Sequence, residues 1–139
     1  MPSAQDESNR FHNEYYENHS LFEIDTWLER PNAKLLDIGK CLVGQPGLHV
    51  LDLGSGVGRN AIPLAKLLGV SAVKIECVDI LQLAVVKLKN NALLHGVSDA
   101  IAPILSSVVD FEIVPDNPDA ADRVGLLKRG VRAAASRAL

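Results

Sequence analysis

The chain has 139 residues, 47% hydrophobic and 22% charged, with a net charge of −3. That balance describes one ordinary globular domain long enough to bury a core; it excludes a disordered chain and gives no electrostatic reason to expect nucleic acid or an anionic membrane as partner. Cys41 and Cys77 lack metal-type spacing and read as buried free thiols, and no leader-like or membrane-length apolar run is present, so the expected location is the cytoplasm.

Residues 1–10 are polar and expected to fray. Residues 11–30 hold five of the six aromatics, Phe11, Tyr15, Tyr16, Phe22 and Trp27, interleaved with acidic residues. The spacing of Phe11, Tyr15 and His19 predicts one face of a short helix, whose rings are expected to pack on a sheet. Pro31-Asn32 marks a turn, and a helix is expected over Ala33–Val43, ended by Gly44-Gln45-Pro46-Gly47. His49–Leu53 reads as a buried parallel strand, apolar on both faces apart from Asp52. A helix over Asn60–Leu68 tolerates Pro63 in its first turn, and Gly69 suits its C-terminal cap. A second strand is expected over Val73–Val78 and a helix over Leu81–Leu94, with Leu81, Ala84, Val85, Leu88, Ala92 and Leu94 on or near its apolar face. A third strand is placed within residues 104–113. This alternation predicts right-handed parallel crossovers, hence an α/β, Rossmann-like parallel sheet flanked by helices, with strand order 3-2-1.

Between the first strand and its helix stand three glycines at alternate positions, Gly54, Gly56 and Gly58. Missing Cβ atoms at three approach points let a flat ligand meet backbone N–H groups and a helix N-terminus. Dinucleotide-binding loops favour Gly-x-Gly-x-x-Gly. Here the third glycine comes one residue early and Arg59 takes the expected slot, leaving an NAD-dependent oxidoreductase weakly supported. Asp52, two places before Gly54, would repel a pyrophosphate but suit an α-amino group, which S-adenosylmethionine carries. Asp79, 21 residues after Gly58, ends the second strand, where a carboxylate can accept both ribose hydroxyls or cap the following helix.

Val50–Asn60, Glu76-Cys77-Val78-Asp79 and Val108–Glu112, in this order and spacing, resemble the class I, Rossmann-like S-adenosylmethionine-dependent methyltransferases. The resemblance runs from about Leu35 to about Asp116. It implies that Gly54, Ser55, Gly56, Gly58 and Asn60 belong to the cofactor site and that Asp52 holds the methionine amino group directly or through water. It further implies that Ile80 lies against adenine, Asp110 accepts from the adenine amino group and Phe111 lines the ring. Plainer readings stand beside these: a capping or solvent-facing Asp52, a core Ile80, and a surface loop at Asp110 and Phe111. Related enzymes fold an N-terminal aromatic segment over the cofactor, which gives Tyr15 and Tyr16 a second reading besides sheet packing. His12, His19, His49 and His95 show no metal spacing and no paired nucleophile, so no metal is expected and no catalytic residue is named.

Three segments are expected: 1–32, aromatic and acidic; 33–116, the cofactor-binding half-domain; and 117–139, an Ala/Arg-rich tail with Arg123, Lys128, Arg129, Arg132 and Arg137 against Asp122. The family continues with a fourth strand, which no run after Asp116 resembles, so the chain reads as truncated after its third strand. Two functions follow: methyl transfer from S-adenosylmethionine to an unidentified small-molecule or protein acceptor, or a non-catalytic interaction module derived from such an enzyme. The first strand, lacking a fourth beside it, is an unguarded edge through which the chain is expected to self-associate or bind a partner.

Overall fold

A computed structural model describes residues 1–112 of the chain. The apolar runs form β1 (Leu48–Leu53), β2 (Val73–Asp79) and β3 (Ile101–Leu105), all parallel and ordered β1-β2-β3, which is 3-2-1 read from the opposite edge. Val50 pairs with Ile75, and Ile75 with Ile101, so one apolar row crosses the sheet. Asp52 stands opposite Cys77, and Leu53 opposite Val78. The helices are α1 (Ala4–Asn18), α2 (Ala33–Leu42), α3 (Ala61–Leu68) and α4 (Gln82–Leu94).

Two successive right-handed crossovers running the same way across a sheet put both connecting helices on one face. Accordingly Val50, Val73, Ile75, Cys77 and Ile101 share a core with Ile62, Ala65 and Leu68 of α3 and with Leu88 and Ala92 of α4. Burying each Val, Ile or Leu side chain of this set stabilises the fold by roughly 1.5–3 kcal/mol. α2 rides on α3, and Gly39 permits the approach: a Cβ there would stand 2.8 Å from Leu64 Cδ1. All of this fixes the C-terminal ends of the strands, where the site lies.

Five expectations are corrected. Residues 4–10 are helical, because Ser3 and Asp6 form a reciprocal capping box in which Ser3 Oγ accepts from Asp6 N at 3.1 Å and Asp6 Oδ2 accepts from Ser3 N at 3.0 Å. The third strand begins at Ile101 and has ended by Leu105. Pro103 concealed it: proline argues against a strand, yet an edge strand tolerates it. The β-branched pair Val108-Val109 lies instead in an exposed turn. Leu94 is 82% exposed, because it lies about 200° round the helix from the buried Ala92. Cys41 is exposed, while Cys77 is buried as expected.

The fifth correction concerns the rings of α1, which pack over the glycine loop and among themselves, while Phe22 alone of the aromatic segment packs against the core cluster of the sheet. α1 contacts α4, and Tyr16 joins a second cluster with Leu28, Val57, Leu81 and Ala84 over the glycine loop. Lys87 of α4 donates from Nζ to the Tyr16 carbonyl oxygen, fixing the end of α1. Phe11, His12, Tyr15 and Trp27 stack among themselves, with Tyr15 and Trp27 at 4.6 Å in an edge-on contact. The Ala/Arg-rich segment 117–139 lies outside the described residues.

Candidate functional site

β1 runs directly into the glycine loop, and the three glycines serve three different purposes. All have positive φ: 74° at Gly54, 58° at Gly56 and 104° at Gly58. At Gly58 a Cβ would come within 2.7 Å of Ile62 Cδ1 and 2.8 Å of Leu88 Cδ1, so this glycine lets α3 and α4 close on the loop. At Gly56 a Cβ would meet the Tyr16 hydroxyl at 2.7 Å. At Gly54 it would meet nothing within 4 Å, so the backbone there faces open space.

The loop's N–H groups were expected to face a ligand; four of them are instead engaged within the protein. Gly54 N and Ser55 N donate to the Val78 carbonyl at 2.8 and 3.2 Å, and Gly58 N donates to Ser55 O at 3.4 Å. Gly56 N donates to Asp79 Oδ2 at 2.8 Å, while Asp79 Oδ1 accepts from Leu81 N at 2.9 Å. Asp79 is thus a buried clamp between the glycine loop and Leu81, the residue before α4; it is not the helix cap it was alternatively expected to be, since Leu81 holds that position and α4 has no side-chain cap. Its carboxylate retains lone pairs, since about four acceptor positions exist and two are used. Ser55 presents the opposite case: its Oγ is buried with no hydrogen-bond partner among the described residues.

These groups border a cavity of about 670 Å³. One wall is the loop and strand end, with Gly54, Ser55, Gly56, Asn60, Asp79 and Ile80. A second wall comes from α1, with Gln5, Ser8, Asn9, His12 and Tyr16, backed by Trp27. Leu51, Leu53, Val108 and Phe111 supply apolar surface. Arg59 also lines it, its guanidinium donating to the Arg30 carbonyl at 3.2 Å, and Asn60 Oδ1 accepts from Asn32 N at 2.8 Å.

Seven of the ten expected residues therefore border one space, and three do not. Gly58 is consumed by packing. Asp110 sits five residues past β3 in an exposed turn, where its Oδ2 accepts from Ser107 Oγ at 2.8 Å. That early end of β3 removes Asp110 from the strand tip and gives the place to Ser106, whose N donates to the Asp79 carbonyl at 3.0 Å. Asp52 alternates with Leu51 and Leu53 along β1, and those two take the cavity face. The polar wall of α1 was not anticipated. Its trace in the sequence is the 5, 8, 9, 12, 16 spacing, readable once Ser3-x-x-Asp6 is taken as a helix start.

Burial pushes the Asp52 carboxyl up to about 6; the charge of Asp79 adds to the rise and Arg59 opposes it. Between the ordinary value of 3.8 and about 6 the folded chain holds a proton that the unfolded chain has released. The stability owed to this protonation is full below 3.8 and lost as pH rises through about 6. Asp52→Asn should therefore stabilise the protein at about pH 8 by on the order of 1–3 kcal/mol and have little effect near pH 4, read as urea midpoints. Burial and Asp79 likewise raise the Tyr16 hydroxyl to about 12, so it stays protonated against Gly56.

No protein-family model and no curated protein sequence matches the chain. Solved structures do. A SAM-dependent methyltransferase from Geobacter sulfurreducens, in complex with S-adenosyl-L-homocysteine, matches 69% of this chain and 37% of its own at 26% identity and TM-score 0.50. A SAM-dependent methyltransferase from Thiobacillus denitrificans, in complex with the same ligand, matches 78% and 40% at 25% identity and TM-score 0.55. Phosphoethanolamine N-methyltransferase 1 of Haemonchus contortus matches in fold, at 18% identity and TM-score 0.53, over 81% of this chain and 24% of its own. The chain spans about two fifths of the length of the first two. Among the described residues no helix is long and apolar enough to cross a membrane. The parallel order of the strands, the glycine loop clamped by Asp79, and these likenesses show that the described part of the chain has the Rossmann-like fold of the class I S-adenosylmethionine-dependent methyltransferases.

Proposed function

We propose that the cavity binds S-adenosylmethionine and that the chain is the cofactor-binding part of a methyltransferase. The observation that carries this reading is the hydroxyl of Ser55, a cavity-wall residue, buried with no partner among the described residues, next to Gly54, where the absent Cβ leaves room. A buried polar group left unsatisfied in the free protein is well placed to be satisfied by a ligand. Asp79 would accept from the ribose hydroxyls with its remaining lone pairs, and Ile80 and Phe111 would flank the adenine. Asp52, off the cavity wall, would act on the amino group through water. The cofactor supplies an activated methyl group on a good leaving group, so the protein's task is alignment and exclusion of water. The two free thiols fit a reducing compartment, and we place the chain in the cytoplasm.

Titration calorimetry with S-adenosylhomocysteine tests the reading. Saturable 1:1 binding is expected, weakened about tenfold by Ser55→Ala through loss of one hydrogen bond. A flat titration of the wild-type chain would reject cofactor binding.

A second reading, a non-catalytic interaction module, is favoured by one observation. β1 is an edge of the described sheet, and its sequence carries neither lysine nor proline to guard it. That reading expects self-association through β1, seen in sedimentation as mass rising with concentration, together with silence towards S-adenosylhomocysteine.

A further inference from the structure

The structure assigns His12 as the proton acceptor of the cavity, acting on a flat, hydroxyl-bearing methyl acceptor of phenolic type. This rests on the methyltransferase reading for its reaction, but the hydrogen bond that orients the His12 ring lies within α1. His12 lines the cavity, and its Nδ1 lies 2.8 Å from the Ser8 carbonyl oxygen. A carbonyl only accepts, so the short contact places a hydrogen on Nδ1. The Ser8 hydroxyl, 3.5 Å from the same nitrogen, is a poor competitor. In the neutral ring Nε2 is then a bare lone pair, and among the described residues no hydrogen bond reaches it. The helix thus fixes the tautomer that makes the ring a base.

The surroundings define the acceptor. The Trp27 ring lies 5.2 Å from the His12 ring and tilted 36° to it, and the Tyr16 ring stands at 6.1 Å, so aromatic faces flank the imidazole. Gln5, Ser8 and Asn9 on the same wall are polar and uncharged, and Arg59 is the sole Lys or Arg among the described lining residues. A polyanionic acceptor finds no cluster of cations here, whereas a neutral aryl hydroxyl finds stacking surface and a base. In the reaction the acceptor oxygen bonds to the methyl carbon, the carbon–sulfur electron pair leaves with sulfur, and the hydroxyl proton passes to His12 Nε2 and then to water. Charge balances, because the positive charge lost at sulfur reappears as that proton.

The probe is 4-nitrophenol, whose anion and neutral form absorb at different wavelengths, at a pH where the free probe is neutral. With the full chain saturated by S-adenosylhomocysteine, wild type should bind the probe and develop the anion's band. His12→Phe, which keeps a flat ring, should weaken probe binding about tenfold and abolish the band. His12→Gln, which offers an acceptor oxygen without basicity, should bind the neutral form. Histidine ¹⁵N spectra of the wild type should show Nδ1 protonated and Nε2 bare. A neutral band in wild type, a protonated Nε2, or equal probe behaviour in all three proteins overturns the assignment. A wild-type chain that does not bind S-adenosylhomocysteine, yet develops the anion's band with the probe alone, overturns the methyltransferase reading and leaves His12 standing as the cavity's proton acceptor.

Discussion

Gly58→Ala should be among the most damaging single-methyl additions in the described chain. The new Cβ would lie 2.7 Å from Ile62 Cδ1 and 2.8 Å from Leu88 Cδ1, and both side chains are fully buried. Neither can swing away, since Ile62 and Leu88 stand in the core that joins α3 and α4 to the sheet. Overpacking of this kind costs roughly 1–3 kcal/mol, and the positive φ of 104° adds roughly 1–2 kcal/mol for a residue with a Cβ. The sum, about 2–5 kcal/mol, is a large share of the roughly 5–15 kcal/mol that holds a typical domain together. Gly54→Ala separates stability from binding. It carries the φ strain alone, since its Cβ meets nothing within 4 Å, yet it adds a methyl to the cavity wall that Gly54 shares with Ser55. Urea denaturation should show Gly58→Ala several-fold more destabilising than Gly54→Ala, whereas S-adenosylhomocysteine affinity should fall in Gly54→Ala while its fold persists. Equal urea midpoints for the two variants would refute the division of labour among the glycines.

That contrast marks what the sequence discloses and what it does not. The run Val50–Asn60 announces strand, loop and helix because a buried parallel strand, a triplet of glycines and a helix start are all local patterns. The glycines' separate purposes are not local: Gly58 is small because Leu88, thirty residues on, must fit above it. The fate of β3 illustrates the same limit. Pro103 speaks against a strand, and the buried pairing of Ile101 with Ile75 outweighs it, while Val108-Val109 speaks for a strand that no partner among the described residues supports. For that reason Asp110 lies in a turn beyond β3 and not at its tip. α1 was partly legible, in its aromatics, and partly overlooked, in the Ser3–Asp6 box that starts it early enough to bring Gln5, Ser8, Asn9 and His12 to the cavity. The wall that distinguishes this cavity is thus written in a segment whose polar composition suggested fraying.

Asp79 carries the second large effect, and there the structural and ligand roles must be separated by choice of variant. Asp79→Ala removes the acceptor for Gly56 N and for Leu81 N together. Each buried N–H left without a partner costs on the order of 1–3 kcal/mol, so the variant should lose about 2–6 kcal/mol of stability. Loss of cofactor binding in that protein alone would say nothing about ribose, since the loop that borders Gly54 and Ser55 would no longer be fixed. Asp79→Asn keeps one acceptor oxygen and turns an amide NH₂ towards the second backbone donor, a milder defect of about 1–3 kcal/mol. Comparing S-adenosylhomocysteine with its 2′-deoxy and 3′-deoxy analogues on the wild type and on Asp79→Asn completes the design. A carboxylate that accepts from both hydroxyls makes each deoxy analogue bind roughly tenfold more weakly to the wild type, and that discrimination should shrink in Asp79→Asn. If both proteins discriminate equally, Asp79 holds the loop and leaves the ribose to another group.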